Sequence, residues 1–370
     1  MIAHVLPLDL PRGAQSYARA LCDELGRDHK VVTLFDSAPA VLRADLALEV
    51  PDGRLRRAGF DPRAALRLRR ALRRQRPRLI VAHGGEALKY AVRVRPAGIP
   101  LVYLKIGLTR PLLRGRVQLA LLRVAVRSAD AVVCVSQEMA EEARELLGVP
   151  ASRVAWIPNG RDPEAYRPGP PRPPEAMPKL AWVGQLNRAK RPEAFCAAVR
   201  ALRDRGRSLE AVMVGAGPLL DSLRAVADAA GVELLGRRDD VAAVLAASDL
   251  LVFTGGETEG MPGVLIEAGM CGIPAVTTEV PGARAVIEDG VSGFVVGIDE
   301  APVLAARVDG LLGDAALRRR MGAAARDRCV QRFSIAASAR RWQELIDSFL
   351  GSRARGAAPE GAIDEALGVE

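Results

Sequence analysis

The chain has few of the residues that metal, disulfide, membrane and nucleic-acid chemistry require. Among 370 residues there are only five cysteines and three histidines. Cys22, Cys134, Cys196, Cys271 and Cys329 are odd in number, widely spaced and never in a C-x-x-C pair. That pattern indicates reduced core thiols, not a disulfide framework or a zinc site. His4, His29 and His83 are scattered along the chain, so no metal cage built by the protein, and no cofactor, is expected. Aromatic residues make up 4% and none interleaves the arginines, which argues against nucleic acid as a partner. No apolar run approaches the roughly 18 to 20 residues of a membrane span. The start, MIAHVLPLDLP, has no cationic head before its short apolar stretch, so no signal segment is expected and the reading is cytoplasmic.

Positive charge is present in excess and unevenly shared. The net charge of +9 divides into +12 over residues 1–175 and −3 over residues 176–370. Much of the excess lies in FDPRAALRLRRALRRQRPRL (Phe60 to Leu79) and TRPLLRGRVQLALLRVAVR (Thr109 to Arg127), both with arginine at helical spacing. These are either solvated helix faces in an arginine-biased composition or a surface that meets anionic lipid or an anionic acceptor. The second reading would make the protein peripheral at the inner membrane face.

The length suits two domains. Short runs of Val, Ile and Leu recur, each followed by a segment of helix length. HKVVTLF, PRLIVAH, IPLVYLKIG, ADAVVCVS and SRVAWIP stand in the first half, and KLAWVGQL, EAVMVGAG, VELLG, DLLVFTGG and IPAVTT in the second. Continuous apolar runs alternating with helices predict parallel sheets covered on both faces, an α/β protein twice over. The expected division is a first domain over residues 1–162, a proline-rich linker over 163–178 and a second domain over 179–333. A helix over about 334–350 should cross back to the first domain, with a disordered tail over 351–370. Two such domains would face a central cleft at the carboxyl ends of their strands, where ligands of these folds bind.

ETEGMPGVLIEA (Glu257 to Ala268) sets a specific problem, because a buried carboxylate among Val264, Leu265, Ile266 and Ala268 needs a partner. DLLVFTGG reads as the preceding strand, and Pro262 with Gly263 opens a helix. The amides of Gly263, Val264 and Leu265 then point out of a positive helix end, a ready phosphate site. Glu267 falls one turn further on the same face, and Glu259 lies in the loop on the other side, beside Met261. Ribose hydroxyls on Glu267, phosphates on the amides and sugar hydroxyls on Glu259 would match a nucleoside diphosphate sugar. By spacing alone, two ordinary glutamates near a helix start fit as well.

The longer stretch ETEGMPGVLIEAGMCGIPAVTTEVPGARAVIEDGVSGFVV resembles the signature of the family-4 retaining glycosyltransferases of the GT-B fold, with its E-x7-E motif. PRGAQSYARALCDEL, ADAVVCVSQEMAEEARELLGVPASRVAWIPNGRD, KLAWVGQLNRAKRPEAF, VGAGPLLDSLRAVADAAGVELLGRRDDVAAVLAASD and FSIAASARRWQELIDSFL resemble further parts of that family in order. The likeness covers nearly the whole chain. It implies two Rossmann-like domains and transfer of a sugar from a nucleotide donor to a hydroxyl, with retention and without a metal. UDP sugars stand ahead of GDP-mannose by family frequency. The acceptor would be a glycan, a lipid-linked molecule or a small molecule.

The resemblance also assigns residues. Lys190 neutralises the diphosphate, with Gln185 where the family usually has an arginine and Arg188 as a substitute cation. Gly236 and Arg237 match the edge that reads the nucleobase. Gly13 matches one of the glycine pair near the donor phosphates. His83 stands at the end of strand RLIV as an acceptor-site or capping histidine, with Glu86 three residues on. Where family members carry a histidine that contacts the donor sugar, this chain has Ile106 beside Lys105. Glu259, Lys190 and His83 are thus the catalytic candidates, and His83, Glu86 and Lys105 the acceptor candidates. Two other readings are a nucleotide-sugar 2-epimerase on the same fold and a non-catalytic binding subunit. A dinucleotide-dependent dehydrogenase is disfavoured because no strand is followed by a full G-x-G-x-x-G.

Overall fold

Strands buried on both faces need continuous apolar sequence. The computed structural model of the chain carries such strands in two parallel sheets. It describes residues 1–9, 13–36, 43–110, 113, 115–170, 172–173 and 176–354, the last three by backbone only. The first sheet has seven strands: β1 (Ile2–Leu8), β2 (His29–Phe35), β3 (Leu46–Val50), β4 (Leu79–His83), β5 (Leu101–Lys105), β6 (Ala131–Cys134) and β7 (Val154–Trp156). Their order is β3-β2-β1-β4-β5-β6-β7. The second sheet has six: β8 (Lys179–Val183), β9 (Glu210–Val214), β10 (Glu233–Gly236), β11 (Leu250–Phe253), β12 (Ala275–Thr278) and β13 (Gly293–Val296). Their order is β10-β9-β8-β11-β12-β13. Each sheet therefore begins in the middle, winds to one edge and returns to wind to the other, the doubly wound arrangement.

Five strands per half were expected from sequence, and the structure adds β1, β3 and β13. β3 and β13 are short edge strands, and β3 alternates buried and exposed residues. β1 is central and almost wholly buried, but His4 and Pro7 interrupt its apolar run.

The molecule divides into two compact units, one of Met1–Gly160 with the chain from Ile335 onward, the other Arg161–Ser334. Each has its own core. The proline-rich stretch expected as a linker falls within the second unit. Arg172 Nη1 donates to the Ala247 carbonyl at 3.0 Å, and a side chain at Gly169 would overlap the Ala246 carbonyl. The returning helix runs over Ile335–Ala354, four residues into the stretch expected to be disordered. Residues 355–370 of that tail lie outside the described residues.

That last helix completes the first unit's core against the helix Gly13–Leu25. Trp342 is fully buried and donates its indole N–H to the Tyr17 hydroxyl at 2.9 Å. The same hydroxyl is 2.7 Å from Ser338 Oγ, which donates to the Pro158 carbonyl at 3.0 Å. Trp342→Ala should therefore cost about 3–5 kcal/mol. Tyr17→Phe, which leaves the indole N–H without an acceptor, should cost about 1–3 kcal/mol. Urea unfolding with a probe in the first unit measures both, and an unchanged midpoint for Trp342→Ala would show that the helix is not part of the cooperative core.

Candidate functional site

In the second unit β8 and β11 are neighbours, yet the chain leaves them toward opposite edges of the sheet. The loops after them, residues 184–191 and 254–262, open at this switch point. The first loop is held by backbone pairing continued past the strand ends. Gly184 N donates to the Val214 carbonyl and Leu186 N to that of Ala216, both at 3.0 Å. Gly215 has φ +149°, and a Cβ there would overlap the Gly184 carbonyl, so this position requires glycine. A turn then presents Lys190, whose amide donates to Asn187 Oδ1 at 3.0 Å. Thr254 Oγ1 clips the two loops together by donating to the Arg191 carbonyl at 2.8 Å.

The result is an ion pair between two of the residues singled out by sequence. Lys190 Nζ lies 2.9 Å from Glu259 Oε1 and 4.8 Å from the centre of the Phe253 ring. Both side chains are largely buried, at 19% and 12% exposure. Two residues further along the chain from Met261, itself buried, the helix Gly263–Met270 begins after Pro262. Its end is narrower than expected. Leu265 N donates to the Pro262 carbonyl at 3.1 Å, so that amide is not open to a ligand and its side chain is fully buried. The amides of Gly263 and Val264 have no acceptor among the described residues.

Glu267 has a partner that sequence reasoning missed. Arg161 Nε donates to Glu267 Oε1 at 2.6 Å, and both side chains are mostly buried. The guanidinium lies over Gly263, where an added Cβ would overlap it. Arg161 N donates to the Phe333 carbonyl at 2.9 Å, which fixes its backbone. The arginine inside PNGRD is the sequence signal, and its partner stands 106 residues away along the chain. Around this centre Gln185 is exposed and accepts from Asn187 Nδ2 at 3.1 Å, Arg188 is exposed, and Arg237 is exposed beyond Gly236. Gly236, at φ +66°, accepts Gly215 N through its carbonyl. Two cations, two open amides at a positive helix end and two carboxylates can together hold an anionic group flanked by hydroxyls.

In the first unit β1 and β4 flank the corresponding switch point. A cavity of about 210 Å³ lies there, lined by Leu6, Pro7, Gln15, His83, Gly84 and Ile106 among others. His83 is the residue before the helix Gly84–Val94, and Gly84 needs its φ of +83° to turn into that helix beside Ile106. Gly13 is exposed at the start of its helix. The two other acceptor candidates are already engaged. Arg56 binds both oxygens of Glu86 at 2.8 Å, leaving that carboxylate on the cavity rim as half of an ion pair. Lys105 is fully buried, 2.5 Å from Glu142 Oε2, so it offers no free ammonium at the strand end. Burial would raise the Glu142 carboxyl, but the Lys105 hydrogen bond and the amides of Arg110 and Thr109 hold it below its usual range. This pair orders the loop after β5.

The three histidines, scattered in sequence, meet in space. His4 Nδ1 lies 3.0 Å from His83 Nε2, and His4 Nε2 lies 3.0 Å from His29 Nδ1. All three are buried. Burial lowers the pKa of His83 to about 3 and that of His29 to below its ordinary value. For His4 burial comes first, followed by its two histidine neighbours and Arg19, and its pKa falls well below the ordinary value. All three imidazoles are therefore neutral at pH 7.

Two family models match the chain. Residues 11–165 match Glycosyltransferase Family 4, and residues 177–314 match Glycosyl transferases group 1. An exopolysaccharide phosphotransferase of Streptomyces coelicolor is 31% identical over 60% of this chain and 24% of its own length. A D-inositol 3-phosphate glycosyltransferase of Nocardiopsis dassonvillei is 28% identical over 64% of this chain and 57% of its own. The chain thus spans less than two thirds of the length of these curated relatives. The crystal structure of Anabaena HepE in complex with UDP superposes with a TM-score of 0.79 over 94% of this chain and 99% of that one, at 21% identity. That likeness gives the fold, GT-B.

The Arg161 and Glu267 pair is a testable part of the site. Arg161→Ala leaves a mostly buried carboxylate unpaired and should cost about 1–3 kcal/mol. The double variant with Glu267→Ala should cost less than the sum of the single variants, by about 0.5–3 kcal/mol. A double-mutant cycle by urea denaturation reads the coupling, and additive costs would show that the two groups do not interact in solution.

Proposed function

We propose that this chain, which belongs to the family-4 glycosyltransferases (glycosyl transferases group 1) of the GT-B fold, moves a sugar from a nucleoside diphosphate donor to an acceptor hydroxyl with retention of configuration. The observation that carries the reading is the Lys190–Glu259 ion pair beside the open amides of Gly263 and Val264. A donor diphosphate on those amides competes with Glu259 for Lys190. Once Lys190 turns to phosphate, the freed carboxylate accepts from the hydroxyls of the sugar. Arg161, over Gly263, supplies the second cation that Gln185 cannot. Glu267, one turn on, accepts from the ribose hydroxyls, while Gly236 and Arg237 bound the base.

The chemistry asked of this site is stabilisation of a leaving group. As the bond from sugar to phosphate breaks, negative charge grows on the diphosphate, where Lys190, Arg161 and the helix amides are already aimed. A diphosphate oxygen takes the proton of the acceptor hydroxyl, which attacks from the same face. In this reading no protein nucleophile, divalent metal or cofactor takes part. In the first unit His83, on the strand-end cavity, meets a hydroxyl of the acceptor. Glu86 and Lys105 act through Arg56 and Glu142 instead. UDP is the preferred nucleotide, a choice supported by the UDP bound in HepE.

The acceptor is a glycan, a lipid-linked molecule or a small molecule. The arginine-rich helix Arg116–Arg127 favours one that resides at a membrane. Val117, Leu121 and Val124, at helical spacing, are 75%, 68% and 69% exposed, with Arg116 and Arg127 exposed at the ends. Such a face enters the headgroup boundary of an anionic bilayer. No helix among the described residues is long and apolar enough to cross one.

Two experiments test these readings. Lys190→Ala should lower kcat/KM for transfer from the preferred UDP sugar by about 10²–10³, as loss of one oxyanion-type donor does, and should also lower stability by about 1–3 kcal/mol because Glu259 is left unpaired. Detection of UDP and glycoside together reports transfer. Release of a C2-epimerised sugar, or donor binding with no turnover, would overturn the proposal. Leu121→Glu should abolish cosedimentation with phosphatidylglycerol vesicles, and retention of vesicle binding would remove the membrane contact from this face.

A further inference from the structure

The three histidines sit on one face of the first sheet along a diagonal. β1 pairs Ile2 with His29 on β2 and His4 with Val81 on β4. In parallel strands, residues two apart share a face. His29, His4 and His83 therefore step across three strands and advance two residues at each step, from the amino end of β2 to the carboxyl end of β4. Each end of the row reaches a cavity. His83 lines the one of about 210 Å³ at the switch point, and His29 lines one of about 450 Å³ at the opposite sheet edge, beside Asp28, Arg78 and Gln343.

Buried histidines that serve only packing normally end on a carbonyl or a carboxylate, which fixes their tautomer. Among the described residues the ring nitrogens here bond only to one another. His83 Nδ1 is buried with no partner among them. An unpaired buried group of this kind is costly, and in native proteins it points to a functional role, a bound group or local strain. Because the central ring must donate with one nitrogen and accept with the other, only two neutral arrangements exist. Either all three rings are protonated at Nδ1, and the unpartnered His83 Nδ1 is a donor, or all three are protonated at Nε2, and it is an acceptor.

We propose that His29, His4 and His83 form one proton-conducting chain through the sheet. It sets whether His83 Nδ1 donates to or accepts from a ligand hydroxyl in the switch-point cavity. His4 and His29 are then positioning residues acting through His83. The conversion is balanced. A proton from water reaches His83 Nδ1, the Nε2 proton of His83 passes to His4 Nδ1, that of His4 passes to His29 Nδ1, and that of His29 leaves to water in the far cavity. One proton enters, one leaves, and all three rings stay neutral. The ligand class is a polyol. Its placement as acceptor rests on the reading of the chain as a glycosyltransferase, but the chain of rings does not.

Because the protein has three histidines, ¹⁵N-histidine labelling of the full chain gives three imidazoles to follow by NMR. At pH 7 all three should show the same tautomer. Addition of glycerol or glucose should shift the ring nitrogens of His83 and, in step, those of His29. His29→Asn keeps a partner for His4 Nε2 but breaks conduction, and should leave the His83 tautomer a mixture. His4→Gln should abolish the response of His29. Unlike tautomers in the free protein, a response confined to His83, or no response of His83 to either polyol would overturn the inference. No turnover is needed, so a protein that relays the shift but transfers no sugar would refute the proposed function and keep this chain.

Discussion

Every feature of this molecule that can do chemistry follows from one geometric constraint. A strand can pair in parallel with its predecessor only after a long crossover, so the chain must leave each strand at the same edge of the sheet. Where the winding reverses, between β1 and β4 and again between β8 and β11, two neighbouring loops diverge and leave an opening. Lys190 and Glu259 come from the two loops of one such opening, and His83 stands at the other. The backbone of a parallel sheet creates these openings whatever its side chains are.

Electrostatics then decides what each opening holds. In the second unit the two carboxylates beside the start of the helix Gly263–Met270 are each matched, Glu259 by Lys190 and Glu267 by Arg161. Matching keeps the desolvation cost tolerable, since a buried carboxylate without a partner would lower stability. It also leaves the pairs exchangeable, because an anion arriving at the helix end offers the two cations an alternative to the carboxylates. In the first unit the same pressure is met without charge. Burial keeps the three imidazoles neutral, and neutral rings can share protons where charged ones would repel.

Much of this was legible before any fold was known. The apolar runs declared the parallel sheets, and ETEGMPGVLIEA with the following stretch declared the loop, the helix start and the two glutamates. The misses have physical causes. The Leu265 amide reads as open in sequence because nothing linear tells which of the first N–H groups a turn will use. Lys105 looked available because its strand end is predictable, whereas Glu142, 37 residues away, is a partner only in space.

What the sequence alone determined is whatever depends on neighbours along the chain: strand and helix periodicity and the helix-start chemistry around Gly263. Tertiary structure decided the partners. Arg161 reaches Glu267 across 106 residues, and His4 joins His29 and His83 across 25 and 79. Hydrogen bonds and ion pairs act over about 3 Å. A chain that must cross between strands brings distant residues within that range only when the whole sheet is formed.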